Sequence, residues 1–181
     1  MPILNFENAL RNSKINTKEV NINTTIDFAS LSGAFIGGTG DYVNLFEPNA
    51  TNLEKLGYGY VVASVGELSG EMPYTAFNAR LSYINENEEV IKNFVMSIKE
   101  GLDFVHDNEA EVIAESIIDQ FPDTSINDLT TIVKRYKDAD SWLSTPFISK
   151  ESFENLMDIM IESNQLSDYV SYEDLIINYY E

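Results

Sequence analysis

The stretch from Gly40 to Pro73, GDYVNLFEPNATNLEKLGYGYVVASVGELSGEMP, constrains the fold most, because it sets two short apolar runs on either side of a helix-sized connector. The runs are Tyr42 to Phe46 and Tyr60 to Val65. The second, YVVASV, is rich in β-formers and nearly all apolar, as a strand covered on both faces should be. The first ends in Glu47-Pro48, and proline suits the first turn of a helix, where an N–H would have no partner. The order therefore predicts a β-turn-α-β unit, with its helix over Asn49 to Leu56 and Gly57 closing it. In open α/β sheets ligands bind at the carboxyl ends of strands, where helix N-termini present free N–H groups. Glu47 and the Gly/Ser/Glu loop after Val65 lie at two such ends.

Before this unit, Phe6 to Arg11 suits a short helix, and Asn21 to Ile26 alternates like a strand. Phe28, Leu31, Phe35 and Ile36 recur at helical spacing, in a segment crowded with the small residues Ala29, Ser30, Ser32, Gly33 and Ala34. After it, Thr75 to Tyr83 alternates again and reads as a strand. From Asn85 the character of the chain changes. Val90, Ile91, Phe94, Val95, Ile98, Leu102 and Val105 form one stripe on a long amphipathic helix over Glu86 to Val105. A second helix is predicted over Glu109 to Phe121, stopped by Pro122. Ser125 and Ser149 are N-caps of two more, and a last short helix spans Tyr172 to Tyr180. A run of helices after a β/α segment suggests a change of lobe near Pro73 to Asn85.

Composition narrows the chemistry. The formal charge of -19 repels phosphate backbones and anionic membranes, which argues against nucleic acid as a partner. With no cysteine and one histidine, disulfides, iron–sulfur clusters and Cys/His zinc sites are excluded. No apolar run approaches the length of a membrane span, and MPILNFENALRNSK does not have the pattern of a signal peptide. The nucleophile elbow, the zincin pair, the Walker lysine and the EF-hand spacing do not occur. His106 falls at the end of an amphipathic helix, where a cation offsets the helix dipole. Gly37-Gly38-Thr39-Gly40 follows a helix and precedes a strand, the reverse of a phosphate loop, so it reads as a cap and turn. Trp142, beside Leu143 and Phe147, reads as a packing anchor. Tyr74 and Phe77, just after the GELSGEMP loop, suit the walls of a pocket. No enzyme chemistry is assembled, and no cofactor is implied.

The succession GDYVNLFEP, helix, GYGYVVASVGELSGEMPYTAF, INENEEVIKNFVMSIKEGLDFVHDN, FPDTSINDLTTIVKRYKDADSW and FENLMDIMIESNQL resembles the substrate-binding proteins of ABC importers. The similar group is that of nitrate, sulfonate, taurine and thiamine-pyrimidine precursors, and the likeness runs from about Phe6 to Tyr180. It implies an α/β fold of the type II periplasmic-binding-protein class, a two-lobed Venus flytrap closing by hinge motion about its ligand. On that plan residues 1–72 are the later half of the second lobe, 73–85 the returning crossover, and 86–181 the helical part of the first lobe. The chain then corresponds to the C-terminal portion of such a protein. The resemblance implies Ser30, Ser32, Glu47, Gly70, Glu71, Tyr74 and Thr75 as cleft-lining residues. Hydroxyls and backbone N–H groups would bind, Glu47 would match charge, and Tyr74 would form an aromatic wall. The implied role is capture of a small organic molecule and delivery to an ABC permease. It would act outside the membrane, extracellular or periplasmic, with a lipoprotein anchor in the full-length form. An alternative is a helical interaction domain that forms homodimers through open surfaces without binding a ligand. Some members of the group make the thiamine pyrimidine enzymatically, but their histidine motif is not present here.

Overall fold

The computed structural model describes residues 2–180, and among these no β-strand forms. The helices are α1 (Pro2–Asn12), α2 (Leu31–Ile36), α3 (Asn49–Lys55), α4 (Val65–Ser69), α5 (Leu81–Glu86), α6 (Glu88–Asp107), α7 (Ala110–Ile117), α8 (Ile126–Asp138), α9 (Lys150–Glu162) and α10 (Tyr172–Leu175). The expected α/β type II flytrap fold is thereby overturned. All four predicted strands are missing among the described residues. In Asn21 to Ile26, Asn23 Oδ1 accepts from both the N–H and the hydroxyl of Thr25 at 2.9 and 2.8 Å, a turn that breaks extension. Ser64 caps α4, its hydroxyl accepting from Glu67 N, so Val65 starts a helix instead of ending a strand. Thr75 to Arg80 lacks regular structure, and Leu81 opens α5. Tyr42 to Phe46 and Tyr60 to Ala63 carry no ladder, and Tyr42 and Tyr60 stand 81% and 86% exposed. β-propensity records how well a residue fits a covered, hydrogen-bonded surface, and no neighbouring strand supplies one.

The helical expectations fare better, since a helix satisfies its backbone within itself. The chain divides into two compact units. The first comprises Met1–Gly70 and Ala110–Ser141, and the second Glu71–Glu109 and Trp142–Glu181.

In the first unit α1 packs on α4. The Asn8 amide donates to Ser69 O at 2.7 Å, which pairs that buried group, and the exposed Asn12 amide donates to Leu68 O at 3.0 Å. Helices α7 and α8 form the core. The faces they bury carry Ala110, Ile113 and Ala114 on one, and Leu129, Ile132 and Val133 on the other. Ser125 caps α8 as its spacing predicts, accepting from Asp128 N, while Arg135 and Lys137 offset the dipole in the last turn. Phe28 lies against Phe46 with ring centroids 5.3 Å apart. Gly59 permits a close approach, because a Cβ there would come within 3.2 Å of the Phe35 ring.

In the second unit α9 buries Phe153, Met157 and Ile159, and Tyr172 of α10 meets Phe153 edge-on at 5.5 Å. The predicted last helix ends early at Leu175 because its continuation is clasped elsewhere. Ile148 N donates to Asn178 Oδ1, and Asn178 Nδ2 donates to the Tyr172 hydroxyl at 2.7 Å. That hydroxyl in turn donates to Ile148 O. Ser149 caps α9, accepting from Ser152 N at 3.0 Å. Ser149→Ala should cost about 1 kcal/mol, the usual worth of a serine cap, read as a lower urea midpoint at unchanged slope. The long helix α6 forms as predicted but buries no residue fully. No helix among the described residues is long and apolar enough to cross a membrane.

Candidate binding site

The residues implied as cleft-lining fall in different settings. Ser30, Ser32, Glu47 and Gly70 belong to the first unit, and Glu71, Tyr74 and Thr75 to the second. Ser30 precedes α2 and makes no side-chain cap bond, Ser32 is half-buried, and Gly70 ends α4 at a φ of 82°. Glu71 O accepts from the Asn155 amide at 2.8 Å. Thr75 is exposed, and partial burial raises the Tyr74 phenol above its ordinary pKa.

Glu47 has a defined internal partnership. Its carboxylate accepts from Arg135 Nη1 at 2.9 Å and from Thr51 N at 2.9 Å, and its side chain is only 9% exposed. Arg135 also donates to Thr51 Oγ1 at 2.8 Å and to Glu54, joining α3 to α8. Glu54 is held below its ordinary pKa by the Arg135 hydrogen bond and then by the Val61 N–H. For Arg135, partial burial works against the charge, but the bonds from Glu47 and Glu54 outweigh it and raise its pKa. The charge of Glu47 is thus met within the chain. Lys55 bonds Asp128 at 2.7 Å between the same two helices.

A concave feature lies in the second unit, at residues other than those implied as cleft-lining. It is an open hollow of about 270 Å³ between α9 and the segment 169–173, walled by Phe153, Met157, Tyr169 and Tyr172. Lys150 and Glu173 rim it as an ion pair at 3.1 Å, and their partnership raises the lysine pKa. The Tyr169 hydroxyl donates to Asp158, a bond that raises its own pKa. Aromatic faces with a few polar groups are what a small organic molecule requires. The signal that could have located it is the Tyr169/Tyr172 pair following the buried stripe of α9, Phe153 and Met157. Among the described residues no acidic or histidine cluster could hold a metal ion.

No family model and no solved structure matches the chain. A curated relative does: the chain is 38% identical over 177 residues to a Bacillus subtilis (strain 168) protein named "Putative binding protein YtlA". The alignment takes in 97% of this chain and 53% of the relative, so the chain spans about half the length of the curated relative it matches. The relative is named as a binding protein and not as an enzyme.

Proposed function

We propose that this protein is the solute-binding component of an ABC-type import system, taking up a small organic molecule and passing it to a permease outside the cytoplasmic membrane. The observation that carries this reading is the relationship, along nearly the whole chain, to a protein named as a binding protein. The hollow beside α9 supplies a matching chemistry. Tyr169 and Tyr172 offer aromatic rings over the buried Phe153, and Lys150 and Glu173 set one charge of each sign at the rim. The overall charge of -19 disfavours nitrate, sulfonates and other anions, and favours a neutral or amine-bearing molecule with a planar apolar part. Within the same unit, Glu71, Tyr74 and Thr75 are the ligand contacts that the resemblance to ABC-importer binding proteins implies.

A thermal-shift screen against aromatic amines, aminopyrimidines, aromatic acids, sulfonates and nitrate tests the proposal. A ligand selective for the folded state at about 100 times its Kd adds about 2.7 kcal/mol of stability by mass action. One of the first two classes should therefore raise the melting temperature by several degrees. Tyr169 is largely exposed, so Tyr169→Ala should leave the circular dichroism spectrum unchanged while abolishing the shift. A folded protein that responds to none of the classes would refute the reading.

A further inference from the structure

The wall of the hollow beside α9 carries three charged side chains, Lys150, Glu154 and Glu173, and two of them are committed to each other. Glu173 accepts from Lys150 Nζ at 3.1 Å and from the Ser171 hydroxyl at 3.0 Å, so its charge and that of the lysine cancel across the rim. Glu154 stands apart. It follows Lys150 by four residues on α9 and is exposed, and among the described residues its carboxylate accepts no hydrogen bond and forms no ion pair. The wall thus keeps one uncompensated negative charge. That charge is within electrostatic reach of the rings: Glu154 adds to the rise in the Tyr169 pKa, after the bond to Asp158, and to that of Lys150, after Glu173.

The rings themselves are held in place. The Tyr169 hydroxyl donates to Asp158 and that of Tyr172 to Ile148 O, while the Tyr172 ring meets Phe153 edge-on at 5.5 Å. Side chains fixed before a ligand arrives lose little freedom on binding. An aromatic face is the negative part of the ring quadrupole, so it attracts a cation and disfavours an anion. Tyrosine rings and a lone carboxylate therefore select the same sign of charge. The volume of about 270 Å³ lies below the roughly 300 to 1,000 Å³ of sites for drug-sized ligands, which limits the occupant to one small ring system with a short arm. We infer, taking the hollow as the ligand site, that it selects an organic ammonium ion and that Glu154 is the residue that reads the charge. The nitrogen donates to the Glu154 carboxylate, and the apolar part lies against Tyr169 and Tyr172 over Phe153. A carboxylate or sulfonate finds on this wall only Lys150, already bonded to Glu173. Glu154 thereby takes the charge-matching role that sequence position gives to Glu47, whose own carboxylate is met by Arg135.

Tryptamine and its uncharged counterpart tryptophol, alike in ring and arm, test this by isothermal titration calorimetry on the whole chain. The native protein should bind tryptamine at least about tenfold more tightly, the least that a hydrogen bond between charged groups contributes. Glu154→Gln keeps the shape and helix preference of the residue, so it should abolish that preference while tryptophol binding and the circular dichroism spectrum hold. Glu151→Gln removes an equal charge from the first turn of α9 without touching the wall, and should leave the preference intact. Tyr169→Ala should abolish binding of both compounds, and binding retained there would place them outside the hollow and overturn the inference. Equal affinity of the native protein for the two compounds would overturn the inference while leaving the hollow as the ligand site. Loss of the preference in Glu151→Gln would overturn it equally, since the charge of -19 on the whole chain would then be its cause. Binding of neither compound would overturn the hollow as the ligand site and the inference with it.

Discussion

Arg135→Ala should destabilise the first unit by about 2 to 4 kcal/mol. The guanidinium donates to Glu47, Thr51 and Glu54 together, and so ties the carboxylates of Glu47, just before α3, and Glu54, within it, to α8. Removing one member of a fully buried ion pair costs about 3 to 5 kcal/mol, because the partner keeps a charge it cannot solvate. Here Arg135 and Glu54 retain part of their exposure, 28% and 32%, which brings the expectation to the lower range. Glu47, nearly covered, is the residue left without its counter-charge. The acid side provides a second readout. Glu54 titrates below its ordinary 4.5 in the folded chain, so its stabilisation is complete above that pH and drains as pH falls through the folded value. The gap between native protein and Arg135→Ala should accordingly be widest near neutrality and close on acidification. Urea titrations of both proteins across that range measure it. A gap that stayed constant down to low pH would mean that Arg135 acts through its packing and not through its charge.

Leu129→Ala should cost about 3 kcal/mol, again in the first unit. Leu129 is 1% exposed on the face of α8 that also buries Ile132 and Val133. Truncating a buried leucine loses its transfer free energy and leaves a cavity that neighbours fill only in part, which together span about 2.7 to 5 kcal/mol. Domains commonly hold only about 5 to 15 kcal/mol in total, so the loss should be plain in a denaturant titration. Leu56→Ala is the matched control. Its leucine is 66% exposed just beyond α3, and such surface changes stay within about 0.5 kcal/mol. Near-equal effects of the two variants would show that α7 and α8 are not the stability core of this unit.

These two expectations bear on function through the same residues. By sequence Glu47 is the residue placed to match the charge of a ligand, since it directly follows an apolar run. Its charge is met instead by Arg135, 88 residues away in the chain, and no local pattern announces such a partner. The aromatic hollow of the second unit has the opposite history. Phe153 and Tyr172 read individually as core and helix residues, and only their packing at 5.5 Å, with Tyr169 alongside, makes a concave wall.

What the sequence determined by itself is the helical half of the protein. The stripe from Val90 to Val105, the serine caps at 125 and 149 and the stop at Pro122 all concern groups within one or two turns of each other. A helix closes its hydrogen bonds over four residues, so such signals are decided locally. What only the tertiary structure decided is everything that needed a distant partner. Tyr42 to Phe46 and Tyr60 to Ala63 have strand composition, yet a strand exists only where another strand accepts its N–H and C=O groups, and none does. The pairing of Glu47 with Arg135 and the clasp of Asn178 on Ile148 are likewise settled by which segments meet. Composition and spacing carry no record of that.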